Sequence, residues 1–298
     1  MMDKNNNQEV FHKTSINWYP GHMAKTLREM KEDLKLIDIV AVILDARTPY
    51  ASLNQDVYEI IKAKTVLMVF NKSDLADPIK LKEAEARYQK NGCYTVRTNS
   101  LSGEGIDTLT KRIREIGEKV KYGNKTSASY KMLKKVYRVL VVGIPNVGKS
   151  SLINRVSGKK SAEVGNKPGV TKQKQWIRVG KDIELMDTPG LLAKSIAQDG
   201  KAYRLAIAGT IKDDILDMEV LAVELIDILM ANKLYTAMLK DRYGLGEEIE
   251  SLRSFEILEL IGRKRGALLK GDAVDLLKAS RLLIEDYRNG KLGKISLE

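Results

Sequence analysis

With 298 residues, 43% hydrophobic and 30% charged, the chain is long enough for two domains and too apolar to be largely disordered. A single cysteine, Cys93, and two histidines, His12 and His22, exclude an intrachain disulfide and argue against a zinc enzyme. No apolar run approaches the roughly 18 residues of a bilayer span, and MMDKNNNQEV lacks an apolar signal core, so a cytoplasmic protein without membrane contact is expected. The net charge of +12, from 51 Lys+Arg against 39 Asp+Glu, points to a polyanionic partner. That charge comes in blocks: net +8 over Lys111–Arg138, net +6 over Lys159–Lys181, net −7 over Asp182–Glu250 and net +4 over Arg253–Lys294. Each block alone is also what a solvated helix face would show.

Up to about residue 190, short apolar runs alternate with amphipathic stretches. IVAVILDA (39–46), TVLMVF (65–70), CYTVR (93–97) and YRVLVVG (137–143) read as buried strands. Leu53–Lys62, Ile79–Lys90 and Ile106–Tyr122 carry helical spacing. This alternation predicts a parallel-rich α/β sheet with helices on both faces. KQWIRVG (174–180) and DIELMD (182–187) read as a hairpin. Beyond residue 200 the strand signal ends, and helices are expected over Met218–Asn232, Lys233–Arg242, Glu247–Arg263 and Asp272–Arg288. The expected organisation is a tail over 1–15, an α/β domain over 16–198 and an all-helical domain over 199–298, with the linker inside Lys194–Arg204.

GIPNVGKS (143–150) follows a strand and precedes SLINRV, a helix start. Gly, four residues, Gly-Lys-Ser is a phosphate loop: backbone amides of Asn146, Val147, Gly148, Lys149, Ser150 and Ser151 can surround phosphate at a helix N-terminus. Lys149 can reach the β- and γ-phosphates, and Ser150 can ligate Mg2+. DTPG (187–190) ends a strand downstream, where Asp187 can hold a magnesium-bound water and the Gly190 amide can meet a γ-phosphate. Thr171, in KPGVTK, is placed to be a second hydroxyl ligand.

NKSD (71–74) directly follows the strand TVLMVF. A carboxylate at Asp74 can accept from both N1–H and the exocyclic amine of guanine, and adenine offers neither donor. The Lys72 stem can lie over the base, and Asn71 can tie this loop to the phosphate loop. Thr98, Asn99 and Ser100, after CYTVR, suit the loop that meets the guanine carbonyl. GTP and GDP are the expected substrate and product.

In ordinary GTPases the phosphate loop precedes NKxD, and here it follows. The chain therefore resembles the circularly permuted GTPases, and among them the bacterial ribosome biogenesis GTPase A family. Beyond the nucleotide motifs the resemblance rests on WYPGHMAK (18–25), DARTPY (45–50), GNKPGVTKQKQW (165–176) and GRKRGALLKG (262–271). It implies a P-loop GTPase domain followed by helices that contact ribosomal RNA, acting late in assembly of the large (50S) subunit. It also implies a K+ ion held by Asn146 and a catalytic role for His22. The position after DTPG, often a water-orienting Gln, is Leu191, so another group must position the water. An imidazole at His22 has a suitable pKa, and a structural or RNA-contacting role is its alternative.

Arg263, Lys264, Arg265 and Lys270 place four cations in eight residues, a phosphate-binding or merely solvated cluster. Tyr203, Tyr235, Tyr243 and Tyr287 sit at spacings more typical of core than of base stacking. Three other readings compete: a P-loop kinase, which has no need of a guanine clamp; a GTP-dependent RNA scaffold; and a GTPase of the small subunit. The free protein is expected to be monomeric.

Overall fold

The computed structural model describes residues 20–123, 136–158, 175–188, 190, 200–211 and 217–298. Apolar and β-branched runs form strands β1 (Ile39–Asp45), β2 (Thr65–Asn71), β3 (Tyr94–Thr98), β4 (Tyr137–Val142), β5 (Gln175–Val179) and β6 (Ile183–Asp187). They make one sheet in the order β3-β2-β1-β4-β6-β5, parallel except for β5, which pairs antiparallel with β6. The chain winds outward from β1 to β3 and then returns to β4 on the other side of β1. The crevice between the carboxyl ends of β1 and β4 is thus the topological switch point, where open α/β sheets bind ligands.

Successive residues alternate between two cores. Ile39, Ala41, Ile43, Leu67, Val69, Val139 and Val141 face one side with Leu109, Ile113 and Ile116 of α4 (Ile106–Tyr122) and Leu152 and Ile153 of α5 (Lys149–Ser157). Val40, Val42, Leu44, Met68, Phe70 and Leu140 face the other. There they meet Met30 of α1 (Pro20–Asp33), Val57 and Ile61 of α2 (Gln55–Ile61), and Leu81, Ala84 and Tyr88 of α3 (Pro78–Lys90). Burial on both faces explains why the strand sequences read as unbroken apolar runs.

The first core continues into the C-terminal helices α6 (Lys201–Ile207), α7 (Met218–Met230), α8 (Lys233–Tyr243), α9 (Ser254–Lys264) and α10 (Leu276–Arg288). Leu221, Leu225 and Leu229, the stripe read from the sequence, are fully buried there. Tyr235, Tyr243 and Tyr287 are buried too, as core spacing predicted.

Several expectations need correction. The PGHM segment, with no element assigned, opens α1, with Pro20 at the first helical position where a missing N–H costs nothing. The single helix over Glu247–Arg263 is two elements: a 3-10 turn Glu247–Ser251, then α9. Leu252 and Arg253 are extended, and the Glu256 carboxylate accepts from the Arg253 amide at 2.8 Å, starting a new helix by capping. The helix expected from Asp272 begins at Leu276, because Asp275 caps it through the Lys278 amide and residues 268–274 close a β-bridge, Leu268 to Val274. Within Lys194–Arg204, the range expected to hold the linker, α6 begins at Lys201. Residues 1–15 and 191–199 lie outside the described residues.

Gly117 in α4 faces Tyr137, and a Cβ there would lie 2.4 Å from the ring. Gly117→Ala should therefore lose about 1–3 kcal/mol by overpacking, more than the better helix propensity of Ala returns. Urea unfolding checks this; an unchanged or raised midpoint would contradict it.

Candidate nucleotide-binding site

Strand register assembles the site before any loop is considered. Thr98, Asn71 and Asp45 are direct neighbours at the ends of β3, β2 and β1. Val142 ends β4, and Asp187 ends β6 opposite Val141. The predicted residues Asn71, Thr98 and Asp187 therefore all arrive at the carboxyl ends of their strands.

Asn71 joins three loops. Its Nδ2 donates to the Val147 carbonyl in the phosphate loop at 2.8 Å. Its Oδ1 accepts from the Ser100 amide at 3.1 Å and hydroxyl at 2.7 Å, and from Thr98 Oγ1 at 3.3 Å. The expected tie between NKSD and the phosphate loop is thus present, and the TNS loop is tied by the same amide. Asn99 braces that loop from within: its Oδ1 accepts from the Leu101 and Ser102 amides. Arg155 of α5 donates to the Ser100 carbonyl from outside it.

The phosphate loop needs its glycine at 148. There φ is +91°, and a Cβ would lie 2.3 Å from the Asn71 Nδ2, so a side chain would both strain the backbone and break the tie. Asn146 also sits at positive φ, +58°, and its Nδ2 lies 3.5 Å from the Thr210 carbonyl. Ser150 and Ser151 stand in the first turn of α5.

Lys149 is buried, with Nζ donating to the Thr188 carbonyl and lying 3.8 Å from Asp187 Oδ1. Burial pushes this ammonium below the usual lysine value, and Asp187 opposes the shift only in part. Thr188 is held by its own hydroxyl, which donates to Val141 at 2.8 Å. Gly190 lies against the phosphate loop: a Cβ there would be 3.1 Å from the Pro145 nitrogen. A serine hydroxyl and a buried carboxylate beside a lysine are a donor set that suits a hard cation shared with phosphate oxygens. Thr171 and Leu191 lie outside the described residues, as does the side chain of His22, whose backbone belongs to the first turn of α1.

Two residues noted only within DARTPY form the centre of the site. Asp45 is fully buried and takes Arg47 in a bidentate pair, Nε to Oδ1 at 2.9 Å and Nη2 to Oδ2 at 2.8 Å. Lys72 Nζ joins Asp45 Oδ2 at 2.9 Å and also donates to the Asn146 carbonyl at 3.0 Å. The lysine head thus joins Asp45 to the phosphate loop. Burial alone would raise the Asp45 carboxyl, but the Arg47 and Lys72 charges outweigh it and hold it well below the usual carboxylate range. The signal in the sequence was an Asp at the end of the central strand, at the switch point, with Arg two residues on.

Because the folded Asp45 pKa lies below the unfolded one, its contribution to stability is full above about pH 4 and fades as pH falls further. Arg47→Ala removes the larger partner and leaves a buried carboxylate poorly paired. It should lose about 3–5 kcal/mol and move acid unfolding to higher pH. A variant with wild-type stability and acid midpoint would contradict the pairing.

This geometry has parallels. A model of the family described as 50S ribosome-binding GTPase matches residues 138–252. The chain is 40% identical over 284 residues to the ribosome biogenesis GTPase A of Bacillus pumilus, covering 95% of this chain and 98% of that protein. It is 30% identical over 283 residues to the Thermotoga maritima protein of the same name, covering 95% and 94%. The solved structure of GNP-bound YlqF from T. maritima is similar with a TM-score of 0.61 at 26% identity, over 92% of this chain and 97% of that one. With the phosphate loop, NKSD and TNS gathered at the carboxyl ends of the strands in permuted order, the chain belongs to the ribosome biogenesis GTPase A family.

Proposed function

We propose that this protein is a Mg2+-dependent GTP-hydrolysing switch that binds ribosomal RNA and assists late assembly of the large ribosomal subunit. The observation that carries the reading is the cross-linking of NKSD, TNS and the phosphate loop through the single amide of Asn71. In this reading Asp74 accepts from the guanine edge, the Lys72 stem covers the base and Thr98, Asn99 and Ser100 frame its carbonyl. Amides from Asn146 to Ser151 surround the phosphates, and Lys149 reaches the β- and γ-oxygens. Ser150 and Thr171 would hold Mg2+, with Asp187 holding one of its waters and the Gly190 amide meeting the γ-phosphate. The ion would neutralise charge that develops on the phosphate oxygens.

Asn146 would also ligate K+ beside the phosphates, and His22 would orient the attacking water in place of the residue absent at Leu191. Binding to the ribosomal subunit would raise a low intrinsic rate. The target is supported by the names of the matching family and relatives and by exposed Arg263, Lys264, Arg265 and Lys270 at the end of α9. The guanidinium of Arg265 also stacks over Tyr243, 5.0 Å from the ring centre. Coupling between nucleotide and the helical domain over 199–298 is supported by Arg47, whose Nη2 donates to the Ala208 carbonyl at 2.9 Å.

Sedimentation with purified 30S and 50S subunits tests the target. The protein should travel with 50S, and more of it with a non-hydrolysable GTP analogue; association with 30S alone would overturn the assignment. Asp74→Asn should weaken GTP binding by about tenfold or more and shift preference toward xanthine nucleotide, whose 2-carbonyl accepts from an amide. Equal GTP affinity would remove the guanine role. Replacing K+ with Na+ should slow turnover without loss of GTP affinity, since the charge is needed mainly in the transition state; equal rates would remove the K+ role. His22→Ala should keep GTP and subunit binding and lower the subunit-stimulated rate about tenfold or more; an unchanged stimulated rate would make His22 structural.

A further inference from the structure

The loop that carries Asp74 is held from a direction the nucleotide motifs do not explain. Residues 295–298 leave the helical region after α10 and run between the loops that follow β1 and β2. Ile295, Ser296 and Leu297 are buried. The Ile295 amide donates to the Leu75 carbonyl at 3.1 Å, and the Asp77 amide donates to Ser296 Oγ at 3.1 Å. The Leu297 amide donates to the Arg47 carbonyl at 2.9 Å. The Glu298 carboxylate accepts from the Tyr50 and Ala51 amides at 2.7 and 2.8 Å.

Tyr235 of α8 completes the clamp. Its hydroxyl donates to Asp77 Oδ2 at 2.7 Å and accepts from the Ser296 amide at 3.3 Å. The Leu75 side chain closes on Gly290, where a Cβ would lie 2.7 Å from Leu75 Cδ2. Asp77 in turn caps α3 through the Ile79 and Lys80 amides. The loop is therefore fixed on one side of Asp74 by Asn71, and on the other by the 295–298 segment, Tyr235 and Asp77.

We propose that the 295–298 segment is a specificity-determining clasp: it holds the 74–77 backbone so that the Asp74 carboxylate meets both guanine donors at once. This rests on the reading of Asp74 as the guanine acceptor. A two-point contact depends on carboxylate position more steeply than a one-point contact does, because a small rotation forfeits the second bond first. Loosening the clasp should therefore erode discrimination before it erodes catalysis.

Inosine diphosphate lacks the exocyclic amine, so the ratio of IDP to GDP dissociation constants isolates the second bond. It would be measured by calorimetry for the wild type, for Ser296→Ala and for a chain truncated after Lys294, alongside kcat at saturating GTP and Tm. Ile257→Val, in the buried core of α9, supplies a control destabilised without touching the clasp. The wild type should prefer GDP. Ser296→Ala, which leaves the Asp77 amide without its acceptor, should lower the ratio by about fivefold, with kcat within about twofold and the control ratio unchanged. If truncation unfolds the chain, the single-atom change at Ser296 still carries the test. A lowered Tm with an unchanged ratio in Ser296→Ala would overturn the clasp and leave the guanine reading standing. Equal GDP and IDP affinity in the wild type would overturn the guanine reading, and the clasp with it.

Discussion

Asp45 is a carboxylate buried at the end of the central strand, and it is tolerated there only because Arg47 and Lys72 are brought to it. Isolated, such a charge would cost several kcal/mol or take up a proton. Paired, it recruits partners from every part of the molecule. Lys72 brings the NKSD loop and, through Asn146, the phosphate loop. Arg47 reaches the Ala208 carbonyl after α6 and lies 5.3 Å from the ring centre of Tyr287 in α10, while its own carbonyl takes the Leu297 amide. A salt bridge of this kind is weak evidence for stability in itself. Its consequence is geometric: the Asp45 carboxylate takes both cations, and through them loops and helices share a single reference point.

The same reference point holds the start of the helical region. In this order DTPG precedes α6 in the chain, and α6 packs on α7 within the same apolar cluster as the sheet. Arg288 of α10 also donates to the Ala206 and Ile207 carbonyls at the end of α6. The last turn of α6 is therefore held by two arginines from different elements, Arg47 at Ala208 and Arg288 just before it. These contacts are hydrogen bonds of discrete geometry, which re-form in new positions more readily than they stretch.

Much of this was legible in the sequence, and the reasons for success and failure are physical. Strands buried on both faces announce themselves as apolar runs, and loops that bind phosphate or guanine demand particular residues at particular spacings. Asn71 reads as a tie between loops because NKSD directly follows a buried strand in a chain that also carries a phosphate loop. The break at Leu252–Arg253 was not legible, since apolar spacing runs through it and the cap is made by a Glu–Arg pair that looks like ordinary surface charge. The start of α10 was displaced because the Leu268–Val274 bridge leaves no periodicity of its own. The role of Arg47 was hidden for a different reason. Its partners Ala208, Tyr287 and Leu297 lie more than 150 residues away in the chain, and only the fold brings them together.

Hydrogen exchange tests the central claim, that the Asp45–Arg47 pair joins the nucleotide loops to the helical region. Exchange would be followed with and without GDP in the wild type and in Arg47→Met, which keeps bulk but not charge. In the wild type, nucleotide should slow exchange at 71–77, 98–100 and 146–151, and also at the distant amides of Gly209, Thr210 and Leu297. In Arg47→Met the protection at the nucleotide loops should survive in weakened form and the distant protection should vanish. Protection confined to the nucleotide loops in the wild type, or distant protection that persists without the guanidinium, would contradict the account.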